Sequence, residues 1–287
     1  MSVTLALSRA EIDALKDSLL EDGFELRPLD HAYFQARGED VVVNAYRSGK
    51  VVVQGKGEAA FLRRRGLAPP APAGLAGRTV GSDESGKGDY FGPLVVAAVA
   101  AMPGQEEELA RLGVRDSKLL GDGAALKAAV AVRALCPHAL RVLAPPEYNA
   151  HHEREGNVAR FLARMHAEAI AEAARAAGGC DRVVIDQFTF TERLEEALRA
   201  AGVAAPVEIR PRAEDNPAVA AASVLARAEF LIGLRALGGE QGVELPKGAG
   251  TAVERVARRL FREGGLPALA AVAKLHFKTT AKVTGLF

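Results

Sequence analysis

Residues 81–88 read GSDESGKG, a string that invites two opposed chemistries. Gly81, Gly86 and Lys87 fit the phosphate-cradling pattern G-x-x-x-x-G-K-[ST], but Gly88 takes the last position and offers no hydroxyl for a Mg²⁺ ion. Such a loop also needs an apolar strand before it and a helix after it, whose amide groups face the phosphates. Here only Arg78-Thr79-Val80 precedes, and DYFGPLVVAAV follows with Gly92-Pro93 and a β-rich run, so no helix begins at Lys87. Asp83 and Glu84 would moreover repel a triphosphate. The alternative takes the acids as the working groups. Asp186 closes a second apolar strand, VVIDQ, and Glu214 follows a third, VEIRP, just before a helix start. Carboxylates at strand ends converge on one rim of a sheet, where α/β folds gather ligands. Their mutual repulsion disfavours ionisation. A divalent cation removes that cost, and oxygen-only ligation favours Mg²⁺ or Mn²⁺ over zinc. Two such ions about 3.5–4 Å apart activate a water and stabilise a leaving oxygen in phosphodiester cleavage. Taken singly, each acid is better read as a solvated strand end or helix cap; the set carries the inference.

The elements that must position these groups begin at Thr79. Strand candidates are 80–84, Tyr90–Ala101, Leu140–Leu143, Arg182–Asp186 and Val207–Arg210. Helix candidates are 105–112, Ala124–Leu135, Asn157–Ala177, a segment opened by the capping box Thr189-x-x-Glu192, and Pro217–Leu237 behind the cap Asn216. One or two helices and the basic segment KLHFKTTAKV end the chain. Alternation of this kind predicts a mixed sheet with helices on its faces. Ahead of it, Ser8 and Glu11 form a capping box for a helix carrying Ile12, Leu15 and Leu19. Short alternating strands follow at Phe24–Arg27, Ala32–Arg37, Val41–Tyr46 and Val51–Gln54, then a helix over 57–65 ending in three arginines. The Pro/Gly/Ala-rich stretch 66–77 reads as a linker. The expected domains are therefore 1–65 and 78–287.

Composition narrows the class. The chain has 287 residues, 49% hydrophobic and 25% charged, an ordinary globular balance. With 37 Lys+Arg against 36 Asp+Glu, no global field announces a polyanion partner. The last 48 residues, 240–287, hold 8 basic and 4 acidic side chains, a local basic bias. Cys136 and Cys180 form no C-x-x-C pattern, and neither zinc nor a disulfide is expected. His151-His152-Glu153 lacks H-E-x-x-H spacing and reads as a solvated loop, while His166 within Phe161, Leu162 and Met165 reads as packing or a polar helix face. No leader and no span of about 18 apolar residues is apparent, which makes the cytoplasm the expected compartment and excludes a membrane partner.

Beyond the acids, GSDESGKGDYFGPLVVAA resembles the signature of the type 2 ribonucleases H, in particular their ribonuclease HIII branch. The family's acidic pair and Gly-Lys-Gly turn match Asp83-Glu84 and Gly86-Lys87-Gly88. RDSKL at 115–119, Tyr148-Asn149, Val184-Ile185-Asp186, Arg212-Ala213-Glu214, VAAASVLAR at 219–227 and LHFK at 275–278 match in order. The resemblance implies an α/β, ribonuclease-H-like mixed sheet flanked by helices, with a small N-terminal α+β substrate-binding domain resembling half of a TATA-binding fold. It implies a monomeric endonuclease that hydrolyses the RNA strand of RNA/DNA hybrids, leaving 5′-phosphate and 3′-hydroxyl ends. Asp83, Glu84, Asp186 and Glu214 then hold two Mg²⁺ or Mn²⁺ ions, and Gly86, Lys87 and Gly88 contact the strand being cut. Ser117, Lys118, His276 and Lys278 are candidate substrate contacts, with Lys274 beside them. Glu214, Lys87 and the N-terminal unit favour the HIII branch over HII. Asp215 and Glu229 stay open as alternatives to Glu214 on the rim.

Overall fold

A computed structural model describes residues 2–67, 75, 77–114, 120–188 and 191–285. Ser117, Lys118, the capping Thr189 and most of 66–77 lie outside the described residues. The chain divides into two compact units, Met1–Ala71 and Pro72–Phe287.

In the first unit, β1 (Ser2–Ala6), β2 (Glu25–Arg27), β3 (Ala32–Arg37), β4 (Val42–Tyr46) and β5 (Lys50–Gln54) form an antiparallel sheet in the order β1-β5-β4-β3-β2. Helix α1 (Arg9–Glu21) starts on the expected capping box, with Ser8 N donating to Glu11 Oε2 at 2.7 Å. Strand alternation sends Phe34, Ala36, Val43, Ala45, Val51 and Val53 to one face, where Ile12, Leu15, Leu19 and Phe61 cover them. Sequence patterning missed β1, whose partner β5 lies some fifty residues away along the chain. Helix α2 (Glu58–Arg64) is followed by Arg65, whose side chain turns inward, donating to Ser18 Oγ at 2.5 Å and pairing with Asp22.

The second unit holds β6 (Thr79–Ser85), β7 (Leu94–Ala101), β8 (His138–Leu143), β9 (Arg182–Asp186) and β10 (Val207–Arg210) in the order β10-β9-β6-β7-β8. β10, β9 and β6 run parallel; β7 and β8 complete the sheet antiparallel. Helices α3 (Glu106–Arg111), α4 (Asp122–Leu135), α5 (Pro145–Glu155), α6 (Val158–Ala176), α7 (Thr191–Ala200), α8 (Pro217–Glu240), α9 (Thr251–Val272) and α10 (Lys278–Thr284) complete the unit. Every residue of β7 is buried: Val95, Ala97 and Val99 pack towards α8 and α4, and Leu94, Val96 and Ala98 towards α6. Burial on both faces explains why its sequence is a continuous apolar run. α8 is long and apolar enough to cross a membrane by composition, yet 72% of its most apolar stretch is buried in this fold, as befits a core helix.

Two expectations need correction. His151-His152-Glu153, expected in a solvated loop, belong to α5, which opens on Pro145-Pro146 and anchors Tyr148 in the core. Its mostly polar sequence carries little apolar periodicity, so pattern reading passes over it. Strand β7 starts at Leu94 rather than Tyr90, because Gly92 has φ +86° and turns the chain.

Candidate active site

Register brings the first two acids together. β6 and β9 pair with Ser82 opposite Ile185, so Asp83 and Asp186 are the next residues along at the carboxyl rim of the sheet. On the far side of β9, Arg210 pairs with Asp186. The chain then turns through Arg212, left-handed at φ 57°, into a 3-10 turn over Ala213–Asp215. Ala213 N donates to Asp186 Oδ1 at 3.1 Å, which ties the Glu214 segment to the Asp186 carboxylate. Asn216 then caps α8 by accepting from Ala218 N at 3.0 Å.

α8 lies directly on β6. A Cβ at Gly81 would fall 2.2 Å from Ala218 C and Val219 N, so this glycine is required by helix packing. Strand alternation then separates the neighbouring acids. Asp83 shares the α8 side with Gly81 and hydrogen-bonds Ser223, while Ser82 and Glu84 face α6. Asp83 is 5% exposed. Burial, then the charge of Glu84 and, least of all, that of Asp186 push its carboxyl up to about 8, against opposition from the Glu84 amide and Ser223.

On the α6 side stands His166, fully buried and stacked on Phe188 with ring centroids 4.4 Å apart. Its Nδ1 is 2.8 Å from Ser82 Oγ and its Nε2 is 3.3 Å from Glu84 Oε2. Lys87 Nζ lies 3.4 Å from Glu84 Oε1. Burial would raise Glu84, but the 3.3 Å approach of the His166 ring, with help from Lys87, outweighs it and holds the carboxyl below its ordinary range. Sequence reasoning missed this role for His166, because Ser82 and His166 are 84 residues apart and meet only in the tertiary structure.

The glycines of the turn differ in cause. Gly86 has φ +87°, and a Cβ there would sit 2.1 Å from Pro93 O. At Gly88 the backbone is unexceptional and a Cβ would meet nothing within 4 Å. The fold therefore demands Gly86 but not Gly88, and Lys87 between them is exposed.

The C-terminal segment is stitched to the residues that follow this turn. Gly92 N donates to Val272 O, and Lys274 N to Tyr90 O, each at 2.9 Å. Lys274 does not reach outward as expected: it is fully buried, and its Nζ donates to Asp89 O at 2.9 Å and Gly92 O at 2.6 Å. Burial lowers its pKa to about 7. His276 is exposed at the edge of a ring cluster, 4.4 Å from His152 and 5.4 Å from Tyr148 between centroids. Lys278 is exposed at the start of α10. Of the alternative acids, Asp215 is ion-paired with Arg210, and Glu229 with Arg133 at 2.7 Å. Asp89 accepts from Gly248 N at 2.6 Å.

Among the described residues, no three His, Cys, Asp or Glu side chains stand together as a finished ligand set. The donor chemistry nevertheless fits Mg²⁺ or Mn²⁺. A carboxyl driven towards its neutral form by burial and by neighbouring carboxylates gains from a hard divalent cation, and carboxylate oxygens are the ligands such ions prefer.

Comparison with known proteins decides the family. The family described as Ribonuclease HII matches residues 80–280. The chain belongs to the ribonuclease HII family. Within it, ribonuclease HIII of Protochlamydia amoebophila is 36% identical, with the alignment covering 98% of this chain and 96% of that protein. Bst-RNase HIII, solved in complex with Mn²⁺, is 32% identical with a TM-score of 0.71, covering 100% of this chain and 99% of that one. RNase HII of Archaeoglobus fulgidus, solved with PCNA, is 27% identical with a TM-score of 0.60, and covers 71% of this chain and 96% of that one. Residues 2–68 match a family described as Domain of unknown function (DUF3378). The chain is thus an endoribonuclease with the ribonuclease-H-like fold, and the resemblance to ribonuclease HIII is borne out.

Proposed function

We propose that this endoribonuclease cuts the RNA strand of RNA/DNA hybrids, leaving 5′-phosphate and 3′-hydroxyl ends. The observation that carries the reading is the parallel register that sets Asp83 level with Asp186 on one rim, with Asp83 buried and driven towards neutrality. Asp83, Glu84, Asp186 and Glu214 would hold two divalent cations, Mg²⁺ or Mn²⁺; Bst-RNase HIII, solved with Mn²⁺, supports the metal class. When bound, such ions supply the charge that activates water and stabilises a departing 3′-oxygen. The chain's own groups do the rest. Gly88 lets a backbone phosphate or a 2′-hydroxyl approach the main chain, and Lys87 adds charge beside it. His276 and Lys278 lie at the exposed end of the C-terminal segment, where a duplex backbone would pass. Ser117 and Lys118, outside the described residues, belong to the same proposal. The unit over residues 1–65 serves as the substrate-binding domain, and the protein acts as a monomer. Recognition through backbone charge and 2′-hydroxyls makes cutting sequence-tolerant and binding salt-sensitive.

The test is Asp186→Asn, which keeps an oxygen for the Ala213 amide. It should retain the fold and hybrid affinity while cleavage falls by on the order of 10²–10³-fold or more, the several kcal/mol expected of metal-assisted catalysis. Cleavage of matched RNA/DNA, DNA/DNA and RNA/RNA duplexes with Mg²⁺ reads the result. A variant that cuts hybrids at the normal rate overturns the proposal.

A further inference from the structure

Glu84 sits near the mouth of the rim on a side chain long enough to adopt several rotamers, so its usefulness as a ligand depends on what holds it. The α6 side of the sheet supplies a brace. Ser82 Oγ lies 2.9 Å from the carbonyl of Ala97 and 2.8 Å from His166 Nδ1, its single proton serving one of the two. The contact with Nδ1 fixes the ring's orientation and leaves Nε2, the nitrogen whose N–H can hold a carboxylate, facing Glu84. Phe188, stacked at 4.4 Å, blocks rotation of the ring out of that plane. Nε2 is buried and has no hydrogen bond of ordinary geometry among the described residues, so its one commitment is the 3.3 Å contact with Glu84 Oε2. The ring is fully buried and so is screened from any duplex on the surface.

We infer that His166 is a positioning residue: braced by Ser82 and Phe188, it holds one oxygen of Glu84 and thereby sets the direction in which the other is presented. This rests on the proposed role of Glu84 as a metal ligand. A partner behind a ligating carboxylate restricts its rotamers before the ion arrives, and loss of such a partner commonly costs about 10–100-fold in metal affinity or activity.

Two substitutions divide the ring's two contacts. His166→Asn keeps an amide group near the Nδ1 position and loses the donor facing Glu84; His166→Gln keeps a donor towards Glu84 and loses the contact with Ser82. In calorimetric titration of the full chain with Mn²⁺, without nucleic acid, H166N should bind roughly 10–100-fold more weakly. H166Q should stay within about threefold of the parent, and KM for an RNA/DNA hybrid should be unchanged in both, because His166 meets no substrate. A merely structural histidine would instead lower the melting temperature of both variants alike and leave Mn²⁺ affinity untouched. Equal affinity of H166N and parent, or equal loss in H166N and H166Q, overturns the inference. Should H166N fail to fold, Ser82→Ala removes the brace at little cost in volume and should weaken Mn²⁺ binding; parent-like binding by S82A overturns the inference in that case. Asp186→Asn separates the two levels of reasoning. If D186N still cuts, the proposed function falls whatever His166 does. If D186N is dead but H166N binds Mn²⁺ normally, only the positioning role falls.

Discussion

Replacing Asp83 by Asn should make the metal-free protein more stable while destroying its activity. In the folded chain, burial, then Glu84 and Asp186, raise Asp83 from an ordinary value of 3.8 to about 8. In the unfolded chain the group titrates near its ordinary value. Between those two values the folded state holds more protons than the unfolded state, so the stability associated with Asp83 falls as pH rises through the window, at up to about 1.36 kcal/mol per pH unit. Below the window both states are protonated; above it both are ionised and the loss is complete. At pH 7 the cost is roughly 2–4 kcal/mol. Asn escapes it, keeps an oxygen for the Glu84 amide that Asp83 accepts at 2.8 Å, and can donate to Ser223. In EDTA at pH 7 the melting transition of the catalytic unit should rise by roughly 5–15 °C, at about 2–4 °C per kcal/mol for a domain of this size. The gap between variant and parent should shrink as pH is lowered towards 5. Saturating Mn²⁺ should narrow or reverse it, since the parent gains binding free energy that the variant lacks, about 2.7 kcal/mol at 100 times Kd. A D83N protein less stable than its parent in EDTA, or a gap that does not change with pH, would refute the reasoning.

Further expectations concern the turn and its support. Gly86→Ala should destabilise the catalytic unit by on the order of 1–3 kcal/mol or more, from φ +87° and the 2.1 Å clash with Pro93 O. Gly88→Ala should stay within about 0.5 kcal/mol of the parent in stability yet raise KM for the hybrid roughly tenfold, the worth of one close backbone contact. Melting curves and steady-state kinetics on the pair check both, and a destabilised G88A would contradict the assignment. Lys274→Met keeps an apolar stem but strands the carbonyls of Asp89 and Gly92, at roughly 2–5 kcal/mol. Hydrogen exchange should speed up at residues 89–92, and unchanged protection there would show that Lys274 is not what holds them.

Much of this was legible in the sequence because it is local. The capping boxes, the Asn216-Pro217 helix start, the β-branched strand at 182–186 and the fully apolar β7 announce themselves within a dozen residues. The candidate acids were legible because strand ends concentrate on one rim. What stayed hidden is tertiary. The roles of Ser82 and Ser223 depend on which helix faces which side of β6. Lys274 in KLHFK looks like any surface lysine, and only the pairing of Phe91 with Ala273 draws it inside. α5 was missed because one buried anchor, Tyr148, holds a helix whose other side chains are mostly polar.

The adjacency of Asp83 and Glu84, which is incompatible with a phosphate loop, has a structural logic. Two carboxylates side by side on a helix or loop would share one solvent shell, but on a strand they must point to opposite faces. Each therefore meets a different helix and receives a different environment. Asp83, against α8, is driven towards neutrality by burial and then by neighbouring negative charge; Glu84, against α6, is held ionised by His166 and Lys87. One acid is thus protonated near pH 7 and must give up a proton to ligate a cation, whereas the other is already ionised. Metal binding should accordingly release close to one proton per site, chiefly from Asp83, at pH values below about 8. The same alternation accounts for the glycines. Gly81 shares Asp83's face, where α8 leaves no room for a side chain, and Gly86 turns the chain at φ +87° hard against the Pro93 carbonyl, while Gly88 is left for whatever approaches from outside. The resemblance to a nucleotide loop lies in the letters, and each letter is there for a different physical reason.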